Sequence, residues 1–240
     1  MSKGCTLGIM QPYFFPYLGY WQLLNYVDKY VLYDDIQFIK SGYVNRNAFL
    51  MNGEAQRFTI NLVKDSDQKY ICERSVSTIW REKDSKKFLR QVEQSYRKYA
   101  PLYASVYPIL EKIVNYENNN LFEYVAHSIQ EICAYIGITT PIIASSTLDH
   151  KDYAGEEKVL EICRLLDAEI YVNAIGGKSL YHQDRFAARL VELKFLKANL
   201  TPYPQGKAGR FVPYLSILDI LMWNDSAAVG QLLNDFSLVN

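Results

Sequence analysis

The chain is expected to form an α/β fold, a Rossmann-like, mostly parallel sheet interrupted by an all-helical insertion. Three observations predict this. Residues 7–33 read as apolar strand, turn, helix and apolar strand. Near residue 84 the apolar spacing becomes helical and stays so to Gly137. After residue 138, short apolar runs again alternate with helical spacing.

Leu7–Met10 is an apolar run of the kind found in strands covered on both faces. Pro12 has no N–H to give a ladder, so the strand stops there. Pro16 suits the first turn of a helix, and Leu18, Trp21, Gln22, Asn25 and Tyr26 keep helical spacing to about Asp28. Lys29–Tyr33 reads as a second strand ending at Asp34-Asp35. Gln11–Tyr17 and Asp34–Lys40 thus fall at the carboxyl ends of two strands, the edge where open α/β sheets bind ligands.

A polar loop, Ser41–Asn47, leads to a hairpin of Ala48–Met51 and Gln56–Val63 around Asn52-Gly53. Tyr70–Thr78 is expected to hold another short strand. Asp84 or Ser85 caps a helix carrying Phe88, Leu89, Val92 and Tyr96, and Ala100-Pro101 ends it. Further helices run from Pro101 to about Tyr116 and from Leu121 to Ile136, the last closed by Gly137.

The alternating pattern resumes with a strand at Thr140–Ala144, a loop at Ser145–His150, a helix at Gly155–Asp167 and a strand at Glu169–Asn173. The loop Gly176-Gly177-Lys178-Ser179 and a short helix, His182–Arg189, follow. Leu190–Leu196 alternates apolar and charged residues and is expected to be the last strand, at a wet sheet edge. Thr201–Pro213 is a long loop, and helices over Leu215–Trp223 and Ala227–Phe236 close the chain. The expected division is 1–83 and 138–240 as two halves of an α/β domain, with 84–137 inserted.

Composition narrows the function. Hydrophobic residues make up 49% of 240, enough for a sizeable core. Lysine plus arginine equals aspartate plus glutamate at 26 each. That balance argues against non-specific nucleic-acid binding and against a polybasic membrane-surface protein. Cys5, Cys72, Cys133 and Cys163 are far apart and lack zinc-site spacing, so no metal signature is present and reduced thiols in a cytoplasmic protein are expected. Neither a signal peptide nor a membrane span is expected, since no apolar run reaches about 18 residues. The 20 tyrosines suit pockets that are apolar along the ring and polar at its tip.

The motifs carry a resemblance. Residues 11–20 read QPYFFPYLGY, residues 34–40 DDIQFIK and residues 45–47 NRN; the far half contributes YVNAIGGKSLY over 171–181, YPQ over 203–205 and FVPYLSILD over 211–219. In this order they resemble the WbqC-like protein family across nearly the whole chain. The resemblance implies a place in bacterial O-antigen or other surface polysaccharide biosynthesis and a nucleotidyltransferase-like fold. The HxGH signature of nucleotidyltransferases is absent, since Gly19 is followed by Tyr20 with no histidine nearby, and this argues against adenylyl transfer.

Candidate catalytic residues are Asp34 and Asp35, ending the second strand, and His182, in a loop after a strand; His150 is placed similarly. Candidate substrate contacts fall in three groups. Amides able to read hydroxyls are Gln11, Gln37, Asn45, Asn47, Asn173 and Gln205. Rings able to stack are Tyr13, Tyr17, Tyr20, Tyr181 and Tyr203. Cations and phosphate-approaching backbone are Lys40, Arg46, Gly176, Gly177 and Lys178. A full phosphate-loop motif is absent, because Val172 stands where its first glycine belongs. Amides beside stacking tyrosines suit a sugar or a nucleoside, and the pathway that the resemblance implies makes a nucleotide-linked sugar the expected ligand.

No Ser-His-Asp or Cys-His order stands out, so direct transfer between two bound partners is expected, catalysed mainly by positioning. The expected reaction is acyl or aminoacyl transfer to the amine of a nucleotide-linked sugar. The donor is expected to be a thioester, with a carrier protein as its bearer. The alternatives are an ATP-dependent ligase or nucleotidyltransferase-like enzyme, and a non-catalytic scaffold in the same pathway.

Overall fold

The computed structural model describes residues 4–150, 153–206 and 209–240. In chain order the elements are β1 (Thr6–Met10), α1 (Leu18–Tyr26), β2 (Lys29–Leu32), the hairpin β3 (Arg46–Met51) and β4 (Glu54–Thr59), then α2 (Ser85–Tyr96), α3 (Tyr103–Val114) and α4 (Leu121–Ile136). The second half holds β5 (Ile142–Ala144), α5 (Gly155–Leu165), β6 (Ile170–Ala174), α6 (Gln183–Ala187), β7 (Glu192–Ala198), α7 (Ile217–Trp223), α8 (Ser226–Leu233) and β8 (Phe236–Val239).

Six strands form one sheet in the order β5-β2-β1-β6-β7-β8, and β3–β4 stand apart as an antiparallel pair. Every pairing from β5 to β7 is parallel, and only β7–β8 is antiparallel. The fold is therefore Rossmann-like, as the alternating pattern predicts. Winding proceeds outward from β1 through β2 to β5, then returns to the other side of β1 with β6. The gap between the carboxyl ends of β1 and β6 is the topological switch point.

Both sheet faces are covered, which explains the near-continuous apolar strands. Leu7, Ile9 and Val31 pack on one face with Val159, Cys163, Phe186 and Leu193. Leu32, Val172 and Leu196 face the other way, into a larger core shared with α1, the helices α2–α4, α7 and α8. Phe14 and Phe15, both fully buried, join that core, with Phe14 4.3 Å from Phe15 and 5.6 Å from Tyr124 between ring centroids. Gly137 closes α4 at φ 78°, where a Cβ would be strained, and Ile138 N–H bonds the Cys133 carbonyl at 2.9 Å.

Four expectations are corrected. Leu190–Leu196 is not the edge: β8 pairs with β7 from Phe195↔Val239 to Ala198↔Phe236. The expected closing helix, Ala227–Phe236, ends instead at Leu233; Asn234-Asp235 turn the chain, and Phe236 opens β8. The alternation of β7 reflects a half-buried Lys194 that bonds Glu192 at 3.0 Å. Tyr70–Thr78 holds no strand; a 3₁₀ turn at Ile71–Glu73 and isolated bridges such as Leu62↔Val76 tie it to several loops, one residue at a time. The first insertion helix also starts earlier, with a π turn at Trp80–Asp84 leading into α2.

Candidate functional site

The loop after β1 is pinned before it reaches the switch point. Phe14 N–H bonds the Val44 carbonyl at 3.0 Å, Asn47 Nδ2 donates to the Phe15 carbonyl at 2.6 Å, and Trp21 Nε1 to the Pro16 carbonyl at 3.0 Å. Phe15 sits at φ 48°, a left-handed conformation that a bulky side chain rarely adopts. Burial of its ring holds it there, and Tyr13 and Tyr17 are turned outward into a trough.

The trough runs along the carboxyl ends of β2, β1, β6 and β7 in two compartments. One, of about 620 Å³, is lined by Gln11, Tyr33, Glu156, Asn173, Gly177 and Tyr181 among others. The other, of about 690 Å³, lies toward β7 against Ile175, Leu196, Ala198, Leu200 and Tyr214. Tyr13, Tyr17, Tyr43, Ala174 and Gly176 line both. Burial, with Tyr17 and Tyr43 nearby, pushes the Tyr13 hydroxyl up to about 12, so it stays a proton donor at neutral pH. In the first compartment Asn173 Nδ2 bonds the Tyr171 hydroxyl, which lies 3.2 Å from that of Tyr181. A Cβ on Gly177 would lie 2.8 Å from Asn173 Oδ1, so the glycine is needed where loop and amide touch. Gln11 makes no side-chain hydrogen bond to the described residues and lines the space.

Beside the trough, at the ends of β2 and β5, lies a charged knot. Asp34 is fully buried; its Oδ1 accepts from Ser145 Oγ at 2.9 Å and Ser146 N–H at 3.0 Å. Asp35 Oδ2 lies 2.8 Å from Lys158 Nζ and 2.6 Å from His150 Nε2, and Ser145 Oγ bonds its other oxygen. Burial alone would raise the Asp35 carboxyl, but hydrogen bonds from Lys158 and Ser145 outweigh it and hold the group below its ordinary value. The Lys158 ammonium also sits 4.9 Å over the Tyr33 ring, the wall shared with the trough. Cys72, whose N–H bonds the Asp34 carbonyl, is pushed up to about 11 by burial and both carboxylates, and is inert as a nucleophile.

The structure brings Gln11, Tyr13, Tyr17, Asn47, Asn173, Gly176, Gly177 and Tyr181 to the trough. His182 stands beside it: Glu156, which lines the first compartment, accepts its backbone N–H at 2.6 Å and lies 3.2 Å from its Nδ1. The other sequence candidates lie elsewhere. Tyr20 is wholly buried. Asn45 is buried with its Nδ2 on the Ile60 carbonyl, and Arg46 begins β3 opposite Thr59. Gln37 and Lys40 contact Asp67 on the surface, at 2.9 and 2.6 Å. Lys178 Nζ reaches the Asn240 carbonyl rather than the trough. Tyr203 and Gln205 both bond the buried Asp219, at 2.9 and 3.1 Å, and anchor the long loop. Tyr43, Tyr214, Glu156 and Lys158 were missed. Tyr43 and Tyr214 carry no motif-independent signal, while the Glu156–Lys158 stretch reads as a solvated helix start.

Fold and site together define a Rossmann-like α/β protein with a ligand-sized trough at its switch point. The WbqC-like protein family model matches residues 11–231, and the chain belongs to that family. It is 26% identical over 218 residues to the uncharacterized protein Rv1507c of Mycobacterium tuberculosis, covering 90% of this chain and 92% of that one. No solved structure matches the chain. Among the described residues, no helix is long and apolar enough to cross a membrane, and no group of three or more His, Cys, Asp or Glu side chains is placed to hold a metal ion.

Proposed function

We propose that the protein is a transferase acting on a nucleotide-linked amino sugar in surface polysaccharide assembly, by acyl or aminoacyl transfer to the sugar amine. The observation that supports this reading is the switch-point trough. The Gln11 amide, the Asn173–Tyr171–Tyr181 network and the Gly176-Gly177 backbone converge there with tyrosine faces. Amides and hydroxyls read sugar hydroxyls, and rings stack on sugar or base. Two bound partners held at one boundary react largely through positioning.

Asp35 and His150 are the acid–base pair of this reading. Asp35 bonds the His150 imidazole at 2.6 Å, and the pair stands beside the β2-side compartment, outside its lining. Asp34 has its role one step back, holding Ser145 and the loop that carries His150.

The test is a thermal-unfolding panel of UDP, dTDP, GDP, ATP with magnesium, coenzyme A and nucleotide amino sugars. A ligand present at about 100 times its dissociation constant stabilises by about 2.7 kcal/mol. For a chain of this length that is a shift of about 5–11 °C. A selective shift with a nucleotide amino sugar is expected; a shift with ATP and magnesium alone would redirect the reading to a ligase. Asp35→Asn and His150→Gln are each expected to lower turnover by at least about a hundredfold. Unchanged turnover in both would remove the pair from the mechanism.

A further inference from the structure

The two compartments of the trough are alike in their mix of carbon and polar lining, and they differ in charge. Among the described residues, two charged side chains line the trough: Glu156 on the β2 side and Lys197 on the β7 side. Glu156 is already matched. Its Oε2 accepts from Arg185 Nη1 at 2.7 Å and lies 3.2 Å from His182 Nδ1, and its Oε1 accepts the His182 N–H at 2.6 Å. Its side chain is 6% exposed. Lys197 is exposed near the end of β7 and is in no ion pair among the described residues. The uncompensated charge of the trough is therefore positive and stands at its β7 end. Tyr13, Tyr17, Tyr43 and Tyr214 line the same compartment, and none of their hydroxyls bonds another described residue. Burial pushes the Tyr13 hydroxyl up to about 12 and raises that of Tyr17, so both keep their proton and can donate at neutral pH. An ammonium beside free hydroxyl donors is a receptor for an anion, whose hydrogen bonds are stronger than those of a neutral acceptor.

We infer that the β7-side compartment takes the diphosphate of the nucleotide sugar, held by Lys197 and the tyrosine hydroxyls, so that the sugar lies on the β2 side of the trough. This rests on the transferase reading and deepens it, giving the ligand a direction. Two separate observations agree on that direction. The unpaired cation stands at one end, and the Asp35–His150 pair, which the sugar amine must approach, stands beside the other. In the reverse direction the diphosphate would lie against Glu156, and the amine would lie away from the pair. Tyr13, Tyr17 and Gly176, which line both compartments, mark where diphosphate and sugar join, and Gln11, Asn173 and Tyr181 lie on the sugar side. Coenzyme A also carries a diphosphate, so the test includes it as a rival source of the same anion.

Calorimetric titration of the intact chain with UDP, UDP-glucosamine and coenzyme A tests the direction. Lys197→Met keeps the stem and removes the charge; because the residue is exposed, the fold should survive, as thermal unfolding will report. It is expected to weaken UDP and UDP-glucosamine alike, by at least about tenfold, and Lys197→Arg is expected to stay within about threefold. Tyr214→Phe keeps the ring, removes one hydroxyl donor and is expected to weaken both about threefold. Gln11→Ala is expected to weaken UDP-glucosamine about tenfold and UDP less than about twofold, because the amide meets only the sugar.

Unchanged binding of UDP-glucosamine in Lys197→Met would overturn the anion site while leaving the transferase reading intact. Equal weakening of UDP and UDP-glucosamine by Gln11→Ala would place the diphosphate at the other end and overturn the direction. Binding of coenzyme A that depends on Lys197, with UDP-glucosamine indifferent to it, would give the site to a thioester donor and overturn the inference. If neither UDP nor UDP-glucosamine binds the unaltered chain, the inference and the reading beneath it both fall.

Discussion

Two carboxylates in this protein, one partly and one wholly buried, sit in opposite electrostatic settings. Asp35, at the end of β2, is met by Lys158 and His150, and its carboxyl is held below the ordinary value. Asp219, on α7, is wholly buried and accepts from neutral donors: the Tyr96 hydroxyl at 2.7 Å, the Tyr203 hydroxyl at 2.9 Å and Gln205 Nε2 at 3.1 Å. Burial raises the Asp219 carboxyl, and these donors offset it only in part. Two causes separate them: Asp219 is the more deeply buried, and only Asp35 has a lysine partner. The contrast also separates their tasks. The Asp35 knot is charged and lies beside the trough, whereas the Asp219 knot ties α2, α7 and the loop carrying Tyr214 into one block.

The largest test is Asp35→Ala. It leaves the Lys158 ammonium, 6% exposed, without a counter-charge. Denaturant unfolding is expected to show a loss of about 3–5 kcal/mol, with Lys158→Met in the same chain recovering much of it. Additive losses from the two changes would mean that the pair is not coupled. Next is Tyr96→Phe, which removes a donor to Asp219 and strands the Leu50 N–H that bonds the same oxygen at 3.1 Å. The expected cost is about 2 kcal/mol, read as a lower unfolding midpoint at neutral pH.

The pH dependence should then separate the two acids by sign. The folded Asp35 carboxyl is depressed, so its contribution is full above the unfolded carboxylate value and is lost as pH falls through the folded value. Asp219 is raised, so its contribution is full at acid pH and is lost as pH rises from the unfolded value through the folded one. Asp35→Asn is therefore expected to flatten the acid limb of a stability–pH curve, and Asp219→Asn to flatten the limb above it. If the two substitutions flattened the same limb, the contrast would be wrong. The smallest effect on stability is expected from Gly177→Ala, under about 1 kcal/mol. Its Cβ would displace the Asn173 amide, so binding of a sugar ligand should weaken about tenfold while the midpoint barely moves.

Much of the fold was legible because its signals are local. The spacing of Leu18, Trp21 and Gln22 marks α1, Asn52-Gly53 marks the hairpin turn, and Gly137 marks the end of α4. The site was legible in part. The QPYFFPY loop and the Ile175–Leu180 turn both reach the trough, as strand-end loops should. Lys178 shows the limit: its glycine neighbours suggest a phosphate loop, yet its side chain turns to the chain's last residue. Tyr203 and Gln205 look like ligand contacts because they are polar residues in a long loop, but their partner is a buried acid 16 and 14 residues away. Lys158 sits on a helix that reads as solvated, and only the adjacent strand end makes it a buried ion-pair partner.

The sequence by itself determined where most strands, helices and turns lie, β8 and the Tyr70–Thr78 stretch excepted, that both sheet faces are covered, and which loops stand at the carboxyl edge. Side-chain periodicity, proline and glycine act over a few residues and need no knowledge of distant partners. Only the tertiary structure decided which loops meet. Strand order set β6 beside β1, opening the trough between segments about 160 residues apart, and β8 closed the edge that β7 seemed to form. Such choices depend on long-range closure of the chain and on the packing of faces that look alike in sequence. The same cause joined Tyr96 to Asp219 across 123 residues and gave the second carboxylate its neutral setting.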